Sequence, residues 1–308
     1  MDQRLTGIFA SVSANELGAV AAAVLGIDAA QPNGVAFSEI TTPHADPRSI
    51  GIVRVTGTAR VDGVGRPWST VTKLIDMAVP NVLGTPVDPR NEVLVYERRY
   101  FEGGSGGLRP ARCFHISRPS ETLTILWLED LTGAKGPPFS LDELSEMARD
   151  LGQWNAHTAA HPPELDFPIG RDFHVRSSEG FDFAGRVRAM LAMRDTQMMR
   201  EMFARSEPEI AAEFVSAYLE LVERSKTLPH ALSLADCPVS NFFYLPGETI
   251  AIDWAGLGSE PVGADGGRFI GSATTWGAGS QRLRGVRESY SRTISKECET
   301  AEQRRIAM

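Results

Sequence analysis

The spacing of apolar residues changes once along this chain, and that change restricts the fold more than any other feature. Four segments in the first 130 residues, SIGIVRV (49–55), WSTVTKLID (68–76), ARCFHI (111–116) and TLTILWLED (122–130), read as strands. The turn-like DGVGRP (62–67) joins the first two as a hairpin, and the last two suggest a second antiparallel pair. Between the pairs, Asp88 followed by Pro89 suits the cap and first turn of a helix running to about Phe101, which EGGSGGLRP (102–110) then breaks. Beyond LTGAKGPP (131–138) the steps become three and four. Leu141, Leu144, Ala148, Leu151 and Trp154 recur in this way behind a capping box of Ser140 and Glu143, and segments 181–205 and 207–226 are helical by pattern. The expected architecture is α+β in two lobes: a small antiparallel-sheet N-lobe, residues 1–128, and a larger helical C-lobe, residues 129–308. A chain of 308 residues, 42% hydrophobic, can bury a core on that scale.

Composition excludes several functions. The run AVAAAVLGI (19–27) is far shorter than the roughly 18 to 20 residues needed to span a bilayer. It follows Asn15 and Glu16 rather than a basic stretch, and Ser13 with Glu16 has the spacing of a capping box, so it reads as a short helix of a cytoplasmic protein with no membrane segment. Cys113, Cys237 and Cys298 are scattered, which indicates neither a disulfide framework nor a zinc site. A formal charge of −8 works against nucleic-acid binding and suits a cationic substrate.

Several polar residues stand where burial is expected. The two-residue period of segment 68–76 puts Val71, Lys73 and Ile75 on one face. A lysine there either snorkels from an edge strand or aims into a cleft to hold an anion. On the helix from Asp88, Val93, Glu97, Tyr100 and Phe101 fall on one side, so Glu97 is either a surface glutamate or the partner of a buried lysine. In LADCPVSNFFYLPGETIAIDWAGLG (234–258), Asp236, Asn241 and Asp253 sit among apolar residues. Asn241 and Asp253 supply the hard oxygens that magnesium takes, and Asp236 would accept a proton from an attacking hydroxyl. Alternatively, Asp236 and Asn241 cap turns in a loop.

The order of these parts decides between the readings. From about Val53 to Arg268 the chain resembles the aminoglycoside phosphotransferase and choline kinase-like family, which has the protein kinase-like fold. The matching segments are VRVTGTARVDGVGRPWSTVTKLID, YERRYF, LWLEDLTG, LGQWNAH, LADCPVSNFF and IAIDWAGLG. The resemblance implies transfer of the γ-phosphoryl group of ATP, with GTP as the alternative donor, to a hydroxyl in the presence of Mg2+. It implies that Lys73, beside Val71, contacts the nucleotide phosphates and pairs with Glu97. Glu129, Asp130 and Leu131 would form the hinge against the adenine, Asp236 would be the catalytic base, and Asn241 and Asp253 the metal ligands. Asp265 in GADGG looks like the buried acid that braces the catalytic loop, and SEITTPHADPRS (38–49) stands where a phosphate loop is expected. Two features depart from the family pattern. Leu234 replaces the usual histidine two residues before the catalytic aspartate, and the chain ends soon after GVRESYSRTISKE. A short C-terminal region would leave the substrate face open, for a small alcohol, for Ser or Thr of a precursor peptide, or for a partner protein that completes it. A kinase-like scaffold acting through such a partner is the alternative reading.

Overall fold

The computed structural model describes residues 3–41, 49–79, 89–99, 101, 107–164, 220, 224–225, 227–275 and 283–307. The helical segment expected at 181–205 lies outside them, as do most of 207–226 and most of the 38–49 loop.

The first half is built around one five-stranded antiparallel sheet. Its strands are β1 (Gln31–Glu39), β2 (Ser49–Val61), β3 (Val64–Asp76), β5 (Cys113–Ser120) and β6 (Leu123–Glu129), in the order β1-β2-β3-β6-β5. The β2–β3 hairpin is tighter than DGVGRP suggests. Only Asp62 and Gly63 make the turn, with φ of 50° and 81°, and Val61 already pairs with Val64. Positive φ at two successive residues matches the right-handed twist of the flanking strands, and an Asp-Gly pair supplies it at little cost. Neither β1 nor the helix α1 (Gln3–Ser11) was legible in the sequence.

Each face of the sheet has its own packing. On the outer face, Leu74, Val53, Val55, Ile125 and Trp127 are covered by Leu5 and Phe9 of α1 and by Val20 and Ala21 of α2 (Ala14–Leu25). Ser13 caps α2, its hydroxyl accepting from Glu16 N at 3.1 Å, but the Glu16 Oε1 is buried without a partner, so the reciprocal half of the expected box is not seen. On the inner face, Ile75, Leu126 and Leu128 join the main core with α3 (Pro89–Arg98) and the second half of the chain.

The second half begins at α4 (Leu141–Ala160), whose capping box is complete: Glu143 N donates to Ser140 Oγ at 3.2 Å and Ser140 N to Glu143 Oε2 at 2.6 Å. Leu144, Met147, Ala148, Leu151 and Trp154 form its buried stripe, as the spacing predicts. Two further helices, α5 (Ala264–Thr275) and α6 (Arg284–Ala307), pack against it. At Gly152 an added Cβ would lie 3.0 Å from the Tyr290 carbonyl oxygen, so the missing side chain lets α6 approach closely.

Two small sheets complete this half. β7 (His230–Ser233) pairs with β10 (Gly258–Pro261), while β8 (Phe242–Leu245) and β9 (Glu248–Ala251) form a hairpin. The edge of that hairpin is extended by β4 (Leu108–Pro110), which runs parallel to β9. Residues 108–110 are therefore a strand rather than part of a breaker, and they tie the two halves together. Among the described residues no single helix is long and apolar enough to cross a membrane.

Candidate active site

Lys73 lies where three elements meet. It projects from the inner face of β3, only 14% exposed, with Nζ 2.5 Å from Glu92 Oε2 and 2.9 Å from Asp253 Oδ1. Burial alone would lower the lysine pKa, but the adjacent Glu92 and Asp253 charges overcome it and raise it. Burial pushes the Glu92 carboxyl up, and Lys73 opposes that shift. Each charge is thus held by its neighbours, as a buried ion pair requires.

The expected partner of Lys73 was Glu97, and the structure corrects this. Glu92, in the first turn of α3, is 1% exposed and makes the pair, whereas Glu97 sits at the surface and receives Arg118. The face buried by α3 includes Glu92, Val93, Val95 and Tyr96, and Glu97 is off it.

Asp253 follows β9 in a left-handed conformation, φ 63° and ψ 73°. Aspartate tolerates that region better than most residues, and the next residues hold it there. Trp254 stacks on Phe101 at 5.2 Å and meets Trp154 edge-on, while Asn91 of α3 donates to the Ala255 carbonyl at 3.4 Å. Gly256 is pressed against the loop that carries Asp236: an added Cβ would lie 2.6 Å from the Leu234 carbonyl oxygen.

That loop is set by backbone and buried acid rather than by a histidine. Leu234 is fully buried in the main core. Ala235 has φ 58°, and Asp236 N closes a three-residue turn onto Leu234 O at 2.7 Å. Beneath it Asp265, 1% exposed, accepts from Ser233 Oγ at 2.6 Å, Asn155 Nδ2 at 3.1 Å and Leu234 N at 3.2 Å. Burial raises the Asp265 carboxyl pKa, with the Ser233 and Asn155 hydrogen bonds opposing. Asn155 in turn accepts from the Tyr290 hydroxyl at 2.8 Å, and Arg268 bridges to Glu260 on β10. Of this network the sequence reading singled out Asp265. Asn155 lies in the matching segment LGQWNAH but had no role assigned, and Ser233, Glu260, Arg268 and Tyr290 were not singled out.

Asp236 is exposed to solvent, although partial desolvation and then the Asp253 charge raise its carboxyl pKa. Asn241 Nδ2 donates to the Asp236 carbonyl at 3.1 Å, and Ile252 N donates to the Asn241 carbonyl at 2.9 Å, which seats Asn241 beside the residue preceding Asp253. These bonds test the fit of a hard cation. The Asn241 amide nitrogen is spent on the loop, which leaves its side-chain oxygen as acceptor. Asp253, 37% exposed, gives Oδ1 to Lys73 and keeps Oδ2. One amide and one carboxylate oxygen are what magnesium takes from protein when water and phosphate complete its shell.

From Lys73 and Asp253 an apolar cavity of about 410 Å3 extends outward. Ile52, Val71 and Leu128 form one wall, Phe243 and Ile252 the other, and Glu129, Asp130 and Leu131 the rim. The Glu129 and Asp130 carboxylates, expected at a hinge, are satisfied internally. Glu129 takes Arg109 at 2.6 Å and 3.1 Å, and Asp130 takes Arg54 at 3.1 Å, Ser69, and Thr132 N at 3.1 Å. Their side chains brace the segment, and its backbone is engaged at both ends: Glu129 N donates to the Arg112 carbonyl at 2.8 Å and Ala134 N to the Leu131 carbonyl at 2.9 Å. Arg54, which also lines the cavity, was not anticipated.

No family model matches the chain, and no curated protein matches it. Solved structures do. An amicoumacin kinase, hAmiN, in complex with AMP-PNP, Ca2+ and Ami is 12% identical over 96% of this chain and 78% of that one, with a TM-score of 0.52. The aminoglycoside phosphotransferase APH(3'')-Id from Streptomyces rimosus is 12% identical over 86% and 90% of the two chains, TM-score 0.43. A gentamicin–APH(2'')-IIa complex is 12% identical over 98% and 86%, TM-score 0.44. The first of these likenesses shows the fold: the chain has the α+β protein kinase-like fold.

Proposed function

We propose that the protein is a phosphotransferase that moves the γ-phosphoryl group of ATP to a hydroxyl with the help of Mg2+. The observation that carries this is the Lys73 ammonium, shared between buried Glu92 and cleft-facing Asp253 at the inner end of an apolar cavity of about 410 Å3. That volume suits a nucleotide base and ribose. Val71 and Leu128 would sandwich the adenine, and the backbone of 129–131 would read its edge. Lys73 would hold the α and β phosphates, fixed in place by Glu92. Asn241 and Asp253 would hold the metal, which when bound supplies charge neutralisation across the phosphates.

Asp236 would receive the proton of the attacking hydroxyl. Its raised pKa makes it a stronger base than an ordinary surface carboxylate. The Asp265 network would hold the turn at Ala235 and so aim that carboxylate, the task that a histidine at position 234 performs in the family the sequence resembles. Catalysis would then rest on positioning and electrostatics. The preferred acceptor is a small cationic alcohol, in keeping with the net charge of −8 and with the small-molecule ligands of the fold neighbours. The hydroxyl of a Ser or Thr peptide is the alternative acceptor, and GTP the alternative donor.

The test is turnover of ATP with Mg2+ across a panel of amino alcohols, aminoglycosides and Ser/Thr peptides. Asp236→Ala should reduce turnover by about 10²- to 10⁴-fold while nucleotide binding persists. A wild type that binds nucleotide but transfers phosphate to no acceptor, with Asp236→Ala indistinguishable from it, would point instead to a kinase-like scaffold.

A further inference from the structure

Among the described residues that line the cavity of about 410 Å3 there are two cations, Lys73 and Arg54, and phosphotransfer uses only the first. The strand β2 allows Arg54 a single direction. Val53 and Val55 are fully buried beneath the helices of the outer face, so the two-residue period turns Arg54 to the inner face with Ile52. There it stands directly opposite Val71, as Ile52 stands opposite Lys73. A charged side chain therefore continues a wall whose other members, Ile52, Val71 and Leu128, are apolar.

The guanidinium is fixed at the rim. Its Nε donates to Asp130 Oδ2 at 3.1 Å, and Asp130 lines the same cavity, so the bond runs within the lining. The anchor is itself held: Asp130 also accepts from Ser69 Oγ and from Thr132 N at 3.1 Å, and its side chain is only 10% exposed. Burial would raise its carboxyl pKa, but the Ser69 and Thr132 bonds and the Arg54 charge hold it below the ordinary value, so the anchor stays ionised. Among the described residues Asp130 is the one side chain that Arg54 bonds, which leaves both Nη groups and the guanidinium plane for a ligand. Two residues of strand put Arg54 roughly 7 Å beyond Ile52, away from the Lys73 end, and the Nε bond turns its head toward the rim. It thus adjoins the place of the base rather than that of the phosphates.

We propose that Arg54 is the specificity-determining residue of the nucleotide site, stacking its guanidinium plane on the base of a purine nucleotide. The proposal rests on the nucleotide reading of this cavity and deepens it. A guanidinium stacks on aromatic faces, whereas an ammonium is a compact point charge. A fused two-ring base offers more overlap than a single ring, so the stack would favour purine over pyrimidine donors without separating ATP from GTP. Because Asp130 holds the head before a ligand arrives, little side-chain freedom is lost on binding.

The test is calorimetric titration of non-hydrolysable ATP and CTP analogues and of inorganic tripolyphosphate, each with Mg2+, into the wild type, Arg54→Ala and Arg54→Lys. The wild type should bind the ATP analogue more tightly than the CTP analogue. Arg54→Ala should weaken the ATP analogue about three- to tenfold and the CTP analogue less than about twofold. Arg54→Lys, which keeps the charge and loses the plane, should not restore the difference, and tripolyphosphate should bind all three proteins alike. Asp130 keeps its Ser69 and Thr132 bonds in both variants, so both should fold, as their melting curves will show. Equal weakening of the two analogues, full recovery in Arg54→Lys, or a matching loss of tripolyphosphate binding would each overturn the proposal. Arg54→Ala that binds the ATP analogue as the wild type does would overturn it too, and would leave the phosphotransferase reading intact. A wild type that binds neither analogue would defeat that reading, and the proposal with it.

Discussion

Glu92 and Glu97 show how finely the site depends on helix phase. Both are acids on the same short helix, and the residues between them, Val93, Leu94, Val95 and Tyr96, are apolar without a break. Such a run marks no single face, so the sequence could not say which glutamate turns inward. Lys73 itself was legible, because the two-residue period of a strand leaves a residue only two directions. Glu92→Gln, which keeps the shape and removes the charge, is expected to weaken nucleotide binding roughly tenfold or more, whereas Glu97→Gln should change it less than about twofold. Titration of both variants with the same nucleotide checks this. Ala235 offers a second measurement, since a left-handed alanine costs about 1–2 kcal/mol relative to a residue free of that strain. Ala235→Gly removes the strain but adds about 0.4–1 kcal/mol of unfolded-chain entropy. Its denaturant midpoint should therefore equal or slightly exceed that of the wild type.

At the scale of elements, local signals predicted what local chemistry determines. The Ser140 cap, the stripe of α4 and the β2–β3 hairpin each follow from a few adjacent residues. By contrast β4 is three residues long and exists because β9 offers an edge to pair with, a partner about 140 positions away that no local pattern announces. The same holds for the brace under Asp236. Asp265, Ser233, Asn155 and Tyr290 lie on four different elements and make contact only once those elements have packed. Gly256 is the tightest joint between the two loops of the site. A methyl group there meets a backbone carbonyl that cannot rotate away, so Gly256→Ala should cost about 1–3 kcal/mol and lower turnover more than nucleotide affinity. Denaturation and steady-state assays of the one variant measure both effects.

For the whole molecule, Arg109 is a second charged link between the halves beside Lys73–Asp253, joining Glu129 at the end of β6 to Glu248 of β9. Burial would push the Glu129 carboxyl up, but hydrogen bonds from Arg109 and the Arg112 amide hold it below its ordinary value. An acid depressed in the folded state stabilises the fold above its unfolded pKa of about 4.3, and that contribution disappears as pH falls through the lowered folded value. Arg109→Ala should therefore lower the melting temperature at pH 7 and reduce the further loss seen below about pH 4. Asp265, whose pKa is raised, has the opposite pH dependence, but it is present in both proteins and cancels in their difference.

The central claim is that Lys73, Asn241 and Asp253 together form a metal-dependent nucleotide site. Its most direct test is the equilibrium dissociation constant of a non-hydrolysable ATP analogue, measured with Mg2+, with a chelator, and with Asp253→Ala. Binding should require Mg2+ and weaken at least tenfold on chelation or on Asp253→Ala. A wild type that fails to bind the analogue, or binds it equally well without Mg2+ and without the Asp253 carboxylate, would contradict the account.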